Sequence, residues 1–217
     1  MPICLQLSPS SAVLLSGGSE RFEEALRLLY GMARTSPDTP TLVEALGIAA
    51  LGMPYLPTEV PPEARERILK AGRASYYTAT HRLEDADLLF KELIQSYPDT
   101  PNVHYSYGVL LLAGTPDKAL EQFEPEIEIS PLHVRARLQI AFEYIGRAEY
   151  EAGLSYARKA VELQPASFAA RNALGRILLE TGSVEEAVKE LEESVRRAPD
   201  SPECRCAPAR LPARRTA

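Results

Sequence analysis

The sequence contains no tryptophan, only three cysteines and only three histidines among its 217 residues. The cysteines, Cys4, Cys204 and Cys206, lie near the two ends of the chain, and an odd number so placed does not make a disulfide framework. Cys204 and Cys206 have neither a second cysteine pair nor a nearby histidine, whereas a structural zinc site takes four such ligands. We therefore interpret the cysteines as incidental thiols and expect no metal and no cofactor.

Long apolar runs are also absent, because no stretch reaches the roughly 18 apolar residues of a membrane span. The apolar N-terminus lacks the positive charges with which a signal peptide begins, so we expect a cytoplasmic protein without a membrane span. The formal net charge is −6, although the last fourteen residues contain four arginines and no acid. Because phosphate binding needs a basic face, this acidity argues against nucleic acid as the main partner.

Catalytic motifs are missing as well. The sequence has no HExxH, no GxSxG, no P-loop and no GxGxxG in the context of a strand. His81, His104 and His133 fall in different helical segments, and we interpret each as a surface or packed histidine. We therefore expect a protein that is not an enzyme. An intrinsic hydrolase or transferase activity is a weak alternative that an activity screen would test.

What the sequence does contain is a repeat of about 34 residues. Proline ends four successive helical patterns, at Pro98, Pro131, Pro165 and Pro199, and neighbouring prolines of this set lie one such repeat apart. The units carry two apolar stripes with the i, i+3, i+4, i+7 spacing of amphipathic helices. A repeat of this length made of two helices predicts an all-α fold in which helix–turn–helix units stack side by side.

The units also share a pattern of small and large residues. It consists of Leu174-Gly175, Leu178, Gly182, Ala187, Leu191, Ser194 and Pro199 in the last unit, of Ile140-Ala141, Tyr144, Tyr150, Gly153, Ala157, Ala160 and Pro165 before it, and of Tyr107-Gly108, Leu111, Ala119, Phe123 and Pro131 earlier. The pattern resembles the tetratricopeptide repeat (TPR) family, although Arg137 and Arg171 stand where the family has a bulky residue. The resemblance implies a right-handed α-solenoid. We expect Gly108, Gly175 and Ala187 where two helices approach closely.

The organisation of the chain follows from where this pattern begins and ends. We predict an irregular or disordered N-terminus over 1–19, a TPR array over 20–202, and a basic, disordered tail without repeats over 203–217. The best repeats are 67–98, 101–131, 134–165 and 168–199. The tail gives no polar capping helix, so we expect a chain that is truncated or out of frame after about 203, with an uncapped apolar face that favours self-association.

Two places break the regularity. Three prolines within 53–61 exclude a helix and predict an extended crossing where a second helix should stand, through either a simple deletion or a bend that shapes a binding surface. Pro125 lies within a helical pattern and should kink that helix or end it early, because it cannot bond to the carbonyl four residues before it.

The remaining functional surface is the concave groove that the resemblance implies, lined by the first helices of successive units. Its candidate residues are Asn102, Tyr105, Val109 and Leu112, then Arg135, Leu138 and Phe142, and finally Asn172, Arg176 and Leu179. Asn172 and Arg176 share a helix face and could bind a carboxylate through charge-assisted hydrogen bonds. We predict a non-catalytic scaffold that binds a peptide or a partner protein there. The alternative is a docking or regulatory fragment of a larger multidomain enzyme or of a secretion or assembly protein.

Overall fold

The computed structural model describes residues 19–56 and 59–197. Except for Ser19, which begins a helix, the predicted irregular N-terminus over 1–19 falls outside these residues, as do the predicted tail without repeats and the predicted truncation and uncapped end face. The described residues form ten helices and no strand, which confirms the predicted all-α solenoid. The helices are α1 (Ser19–Ala33), α2 (Pro40–Leu51), α3 (Pro62–Ala79), α4 (Leu83–Ser96), α5 (Val103–Leu111), α6 (Pro116–Ile129), α7 (Val134–Gly146), α8 (Tyr150–Leu163), α9 (Phe168–Glu180) and α10 (Val184–Arg197).

The chain divides into two compact units. Unit 1 ends at Ile129 and contains α1 to α6, whereas unit 2 begins at Ser130 and contains α7 to α10. Within both units, helices that follow one another in the chain pack against one another. The units are therefore built of helix pairs, as the two apolar stripes of the repeats predict.

Short polar residues and prolines set where the helices start. The Thr39 hydroxyl accepts a hydrogen bond from the Leu42 N–H at the start of α2, and the Ser167 hydroxyl accepts one from the Ala170 N–H at the start of α9. Pro40 and Pro62 occupy the first turn of their helices, where a missing N–H has no cost. Gly52 ends α2 in a left-handed conformation with φ of 62°.

Small residues allow the two helices of a pair to pack closely in unit 2. A Cβ atom on Gly175 of α9 would lie 2.6 Å from Leu191 Cγ and 3.3 Å from the Ala187 carbonyl oxygen of α10. In unit 1, a Cβ atom on Gly108 of α5 would lie 2.5 Å from the Phe123 ring of α6. The prediction that these small residues mark close helix approaches is confirmed.

Unit 1 contains a closer contact, between α2 and α3. A Cβ atom on Gly47 would lie 1.9 Å from the Ile68 carbonyl oxygen, and one on Gly72 would lie 1.8 Å from the Val43 carbonyl oxygen. The described part of 53–61 contains no α-helix, as the prolines predict. Across this connection, α3 packs against α2 as well as against α4, so that no second helix stands between α2 and α3.

The helix that contains Pro125 does not end there. α6 continues through Pro125 to Ile129, so of the two predicted outcomes the early end is wrong, and the kink stays a prediction. The side chain of the next residue, Glu126, is fully buried and accepts hydrogen bonds from the first turn of α5, at 2.8 Å from the Asn102 N–H and 3.1 Å from the Tyr105 N–H. These bonds stabilise the last turn of α6 against the loss of one bond at Pro125.

Candidate interaction surface

The surface with the clearest chemistry lies in unit 2, on α7 and α9, which contact one another. We call it the α7/α9 face, and it consists of Arg135, Leu138 and Phe142 on α7 and of Asn172, Arg176 and Leu179 on α9. Leu138 and Asn172 occupy the same position in successive repeats, as do Phe142 and Arg176. Each helix thus contributes one residue to the face, Leu138 or Asn172, and a second residue one turn further along the helix, Phe142 or Arg176.

Two polar residues of α9 define the chemistry of this face. Asn172 is 3 % exposed, and its Nδ2 atom has no hydrogen-bond partner among the described residues. Arg176, four residues later, is exposed. A buried donor without a partner costs about 1–3 kcal/mol, so an acceptor for the Asn172 amide would stabilise the protein by part of that amount. Side chains four residues apart are neighbours on a helix, which places this amide beside a guanidinium.

The remainder of the face is apolar and partly covered. Leu138 is buried and belongs to the core of unit 2, whereas Phe142 and Leu179 are half-buried and pack against that core. Arg135 is also half-buried. The face therefore combines an apolar base with cationic groups at its margin.

Two further arginines of unit 2 serve the packing of helix pairs. Arg171 forms an ion pair with Glu190 of α10, with side chains only 15 % and 12 % exposed, and its Nε donates to the Pro165 carbonyl oxygen. Arg137 is buried in α7, and that burial lowers the pKa of its guanidinium, while Tyr156 opposes the shift. Both arginines stand where the sequence departs from the family pattern. In each case the arginine is accommodated within the packing of the helices, through an ion pair at Arg171 and through burial at Arg137.

In unit 1, two of the candidate residues are engaged within the chain. Asn102 Nδ2 donates a 2.9 Å hydrogen bond to the Leu51 carbonyl oxygen at the end of α2, and Asn102 itself has φ of 68°. The half-buried ring of Tyr105 lies 5.9 Å from that of Phe123. The other two candidates, Val109 and Leu112, are exposed and half-buried respectively.

Sequence reasoning missed Glu126. This carboxylate binds the first turn of α5, ahead of the candidates Val109 and Leu112, and so positions that helix. The only signal in the sequence was an acidic residue at a phase of α6 that should be apolar, next to a proline. That signal does not identify the helix whose N-terminus the carboxylate binds, because the bond joins residues 24 positions apart.

His104 and His133 have structural environments, whereas His81 is exposed. His104 is buried with its Nδ1 atom 3.0 Å from Gln122 Oε1, and His133 Nδ1 accepts a 3.0 Å hydrogen bond from the Ala136 N–H at the start of α7. Within residues 19–56 and 59–197, no three His, Cys, Asp or Glu side chains come together as metal ligands would. None of the described helices is long and apolar enough to cross a bilayer.

Comparisons with known proteins agree on the repeat. A family model for the tetratricopeptide repeat matches residues 138–202. The structure is similar to those of YrrB (TM-score 0.59, 15 % identity, 88 % of this chain and 92 % of that one) and of TTC0263 from Thermus thermophilus (0.52, 17 %, 88 % and 90 %). It is also similar to MamA from Desulfovibrio magneticus RS-1 (0.51, 22 %, 88 % and 98 %). No curated protein matches the chain.

The helix pairs and the family match place the chain among the helical repeat proteins. More narrowly, residues 138–202 are tetratricopeptide repeats, and the chain has the fold of proteins built from them. The resemblance inferred from the sequence is therefore confirmed.

Proposed function

We propose that the protein is a non-catalytic interaction module and that it binds a peptide segment of a partner protein on the α7/α9 face. The observation that carries the proposal is the pair formed by Asn172 and Arg176, a buried amide without a hydrogen-bond partner one turn before an exposed guanidinium. A rotation of the Asn172 side chain would present its amide to a ligand oxygen, and that bond would remove the cost of the unpaired donor.

The chemistry of the face selects the kind of ligand. Arg176 and Arg135 favour a carboxylate, because hydrogen bonds between charged groups are about twice as strong as neutral ones. Phe142 and Leu179 give an apolar side chain a place to pack beside that carboxylate. A peptide that ends in a free carboxylate after an apolar residue satisfies both requirements.

The structural neighbours give this proposal a precedent. YrrB, which has a similar fold over most of this chain, is described as a TPR protein with an unusual peptide-binding site. In this chain the six residues of the α7/α9 face form the principal proposed site, whereas Asn102 and Tyr105 of the ten candidates are engaged within the chain. Val109 and Leu112 form a second, smaller surface on unit 1.

A library of peptides with free C-terminal carboxylates, screened in parallel with the same peptides as C-terminal amides, tests the proposal. We expect binding of free-carboxylate peptides with an apolar last residue, and a loss of about tenfold or more on amidation, since one charge-assisted bond contributes about 1.5–3 kcal/mol. Asn172→Ala and Arg176→Ala should each reduce binding by a similar factor. Equal binding of acids and amides would contradict the proposal.

The control variant removes an arginine of unit 2 that lies outside the face. Arg196 is exposed on α10 and forms an ion pair with Glu193. Arg196→Ala changes the net charge as Arg176→Ala does, so it separates loss of a specific contact from a general loss of positive charge. If both variants weakened binding equally, the assignment to the α7/α9 face would be wrong.

A further inference from the structure

The N-terminal helices of unit 1 cover a face that the repeat pattern assigns to the groove. The repeats 67–98 and 101–131 align Ile68, Ala71 and Ser75 of α3 with Asn102, Tyr105 and Val109 of α5. Ile68, Ala71 and Ser75 are all at most 2 % exposed, whereas Val109 is 40 % exposed. Something in the chain therefore covers the groove positions of α3.

Most of that cover is α2. Its backbone lies against the backbone of α3 at Gly47 and Gly72, and Gly72 lies on the same side of α3 as Ile68 and Ser75. Every residue from 42 to 51 in α2 is buried. At the start of α3, Arg65 extends to Glu44 with an N–O distance of 3.5 Å. The covering helix is thus part of the core of unit 1 rather than a loosely attached segment.

The C-terminal half of the first helix, α1, also helps to cover the groove positions of α3. Tyr30 packs against the core of unit 1, and its pKa is raised mainly by burial, with smaller contributions from Ser75 of α3, which opposes the rise, and from Tyr105 of α5. The connection from α1 to α2 is held to the end of α3 by two hydrogen bonds. Tyr76 donates to the Ser36 carbonyl oxygen at 2.9 Å, and Arg34 donates to the Ala79 carbonyl oxygen at 3.3 Å.

The end of α2 reaches the start of α5. Asn102, a groove position of α5, donates its amide hydrogen to the Leu51 carbonyl oxygen. A carbonyl at the C-terminus of a helix has no partner within that helix, so the Asn102 side chain satisfies a group that would otherwise need water. Asn102 thus binds α2 in the same way that a groove residue would bind a peptide backbone.

We infer that α1 and α2 act as an internal ligand, which closes the groove face of α3 and the first half of α5 and leaves Val109 and Leu112 as the open part of that face in unit 1. The inference builds on the groove of the proposed function but concerns only which of its positions a partner can reach. It predicts that a partner is excluded from the face that Ile68, Ala71 and Ser75 form.

Thiol labelling of the full chain tests this closure. In a protein with Cys4, Cys204 and Cys206 replaced by Ser, single Ser75→Cys and Val109→Cys substitutions are compared by their rates of reaction with a maleimide. We expect the thiol at position 75 to react at least about 100-fold more slowly than the thiol at position 109, because only opening of the α1 and α2 cover exposes it. Similar rates in folded protein would overturn the inference.

A measurement on the unaltered chain keeps the test independent of how the variants fold. Amide hydrogen exchange should show residues 42–51 of α2 as strongly protected as residues 64–79 of α3. Rapid exchange of α2 while α3 and α4 stay protected would show that α2 does not stay packed on α3, and it would overturn the inference. Both measurements use the protein without a partner. Failure of peptide binding would therefore leave this inference intact, and failure here would leave the α7/α9 face intact.

Discussion

The two repeats of unit 2 carry different polar residues at equivalent positions. In α9 and α10, Arg171 pairs with Glu190, whereas in α7 and α8 the equivalent residues are Arg137 and Tyr156, and Tyr156 stacks on Tyr144 with ring centroids 6.1 Å apart. α9 is capped by Ser167, whereas α7 is capped by His133. The same helix pair is thus stabilised by different chemistry in neighbouring copies.

This difference teaches that the small apolar positions define the fold and that the polar positions are open to change. Ala141 and Gly175, the equivalent small residues, are both buried at the centre of a helix pair. A repeat array tolerates such local variation because each repeat packs only on its neighbours. Leu138 and Asn172 are also equivalent, and only the second has a side-chain hydrogen-bond donor. A polar group can therefore be added to one copy without altering the other.

The largest expected effect comes from filling the close contact in the second repeat. Gly175→Val places side-chain atoms against Leu191 and the Ala187 backbone, and we expect it to destabilise unit 2 by about 3 kcal/mol, as overpacking does. Urea denaturation followed by circular dichroism measures the loss. The control is Gly146→Ala, since a Cβ atom at Gly146 meets nothing within 4 Å, and this change should leave stability the same or slightly higher. Equal losses would contradict the assignment of Gly175 to a packing contact.

Removing Glu190, the acidic partner of Arg171, should have the next largest effect on the stability of unit 2. Glu190→Ala leaves the mostly buried guanidinium of Arg171 without its partner carboxylate, and we expect a loss of about 2 kcal/mol. Tyr156→Phe, the change at the equivalent position of the first repeat, keeps the ring stack and should cost less than about 1 kcal/mol. Replacing both Arg171 and Glu190 with Leu should recover most of the loss, because the desolvation cost of the charges also disappears. If Glu190→Ala and Tyr156→Phe cost the same, the two repeats would not differ as described.

The His133 cap should make the first repeat of unit 2 sensitive to acid. Burial, with a contribution from Arg135, lowers the pKa of His133 to about 4 from an ordinary value of 6.5. Since the folded state holds the neutral ring, the stability that His133 contributes is complete above pH 6.5 and is lost as the pH falls towards 4. We expect a loss on the order of 1 kcal/mol, typical of a helix cap. His133→Ser, which copies the cap of α9, should remove this part of the pH dependence in denaturation measured from pH 7 to pH 4. An unchanged profile would contradict the role of His133.

Much of the fold could be predicted from the sequence because prolines and apolar stripes recur with one period. The positions of α7 to α10 follow from Pro165 and Pro199 and from the small residues between them. The α2 contact with α3 could not be predicted, since it depends on Gly47 and Gly72 meeting across a connection that breaks the repeat. The repeat period predicts which residues occupy groove positions. It does not predict how exposed those residues are, because their exposure depends on the helices that cover them. This is why Asn102 appears as a candidate in the sequence and as an internal anchor in the structure.

The smallest expected effect concerns the bond that joins the two repeats at their surface. Arg158 of α8 forms two hydrogen bonds with the Glu186 carboxylate of α10, at 2.9 and 3.1 Å, but the side chains are 51 % and 42 % exposed. Water and salt screen such a pair, so we expect Arg158→Ala to cost only about 0.5 kcal/mol and the cost to fall further at high salt. Denaturation curves at low and high salt measure both quantities, with Lys159→Ala as the control for loss of a neighbouring exposed cation. A loss as large as the one expected for Glu190→Ala would mean that the two repeats depend on this surface ion pair rather than on the apolar contact between α8 and α9. The small residues would then not be sufficient to hold neighbouring repeats together.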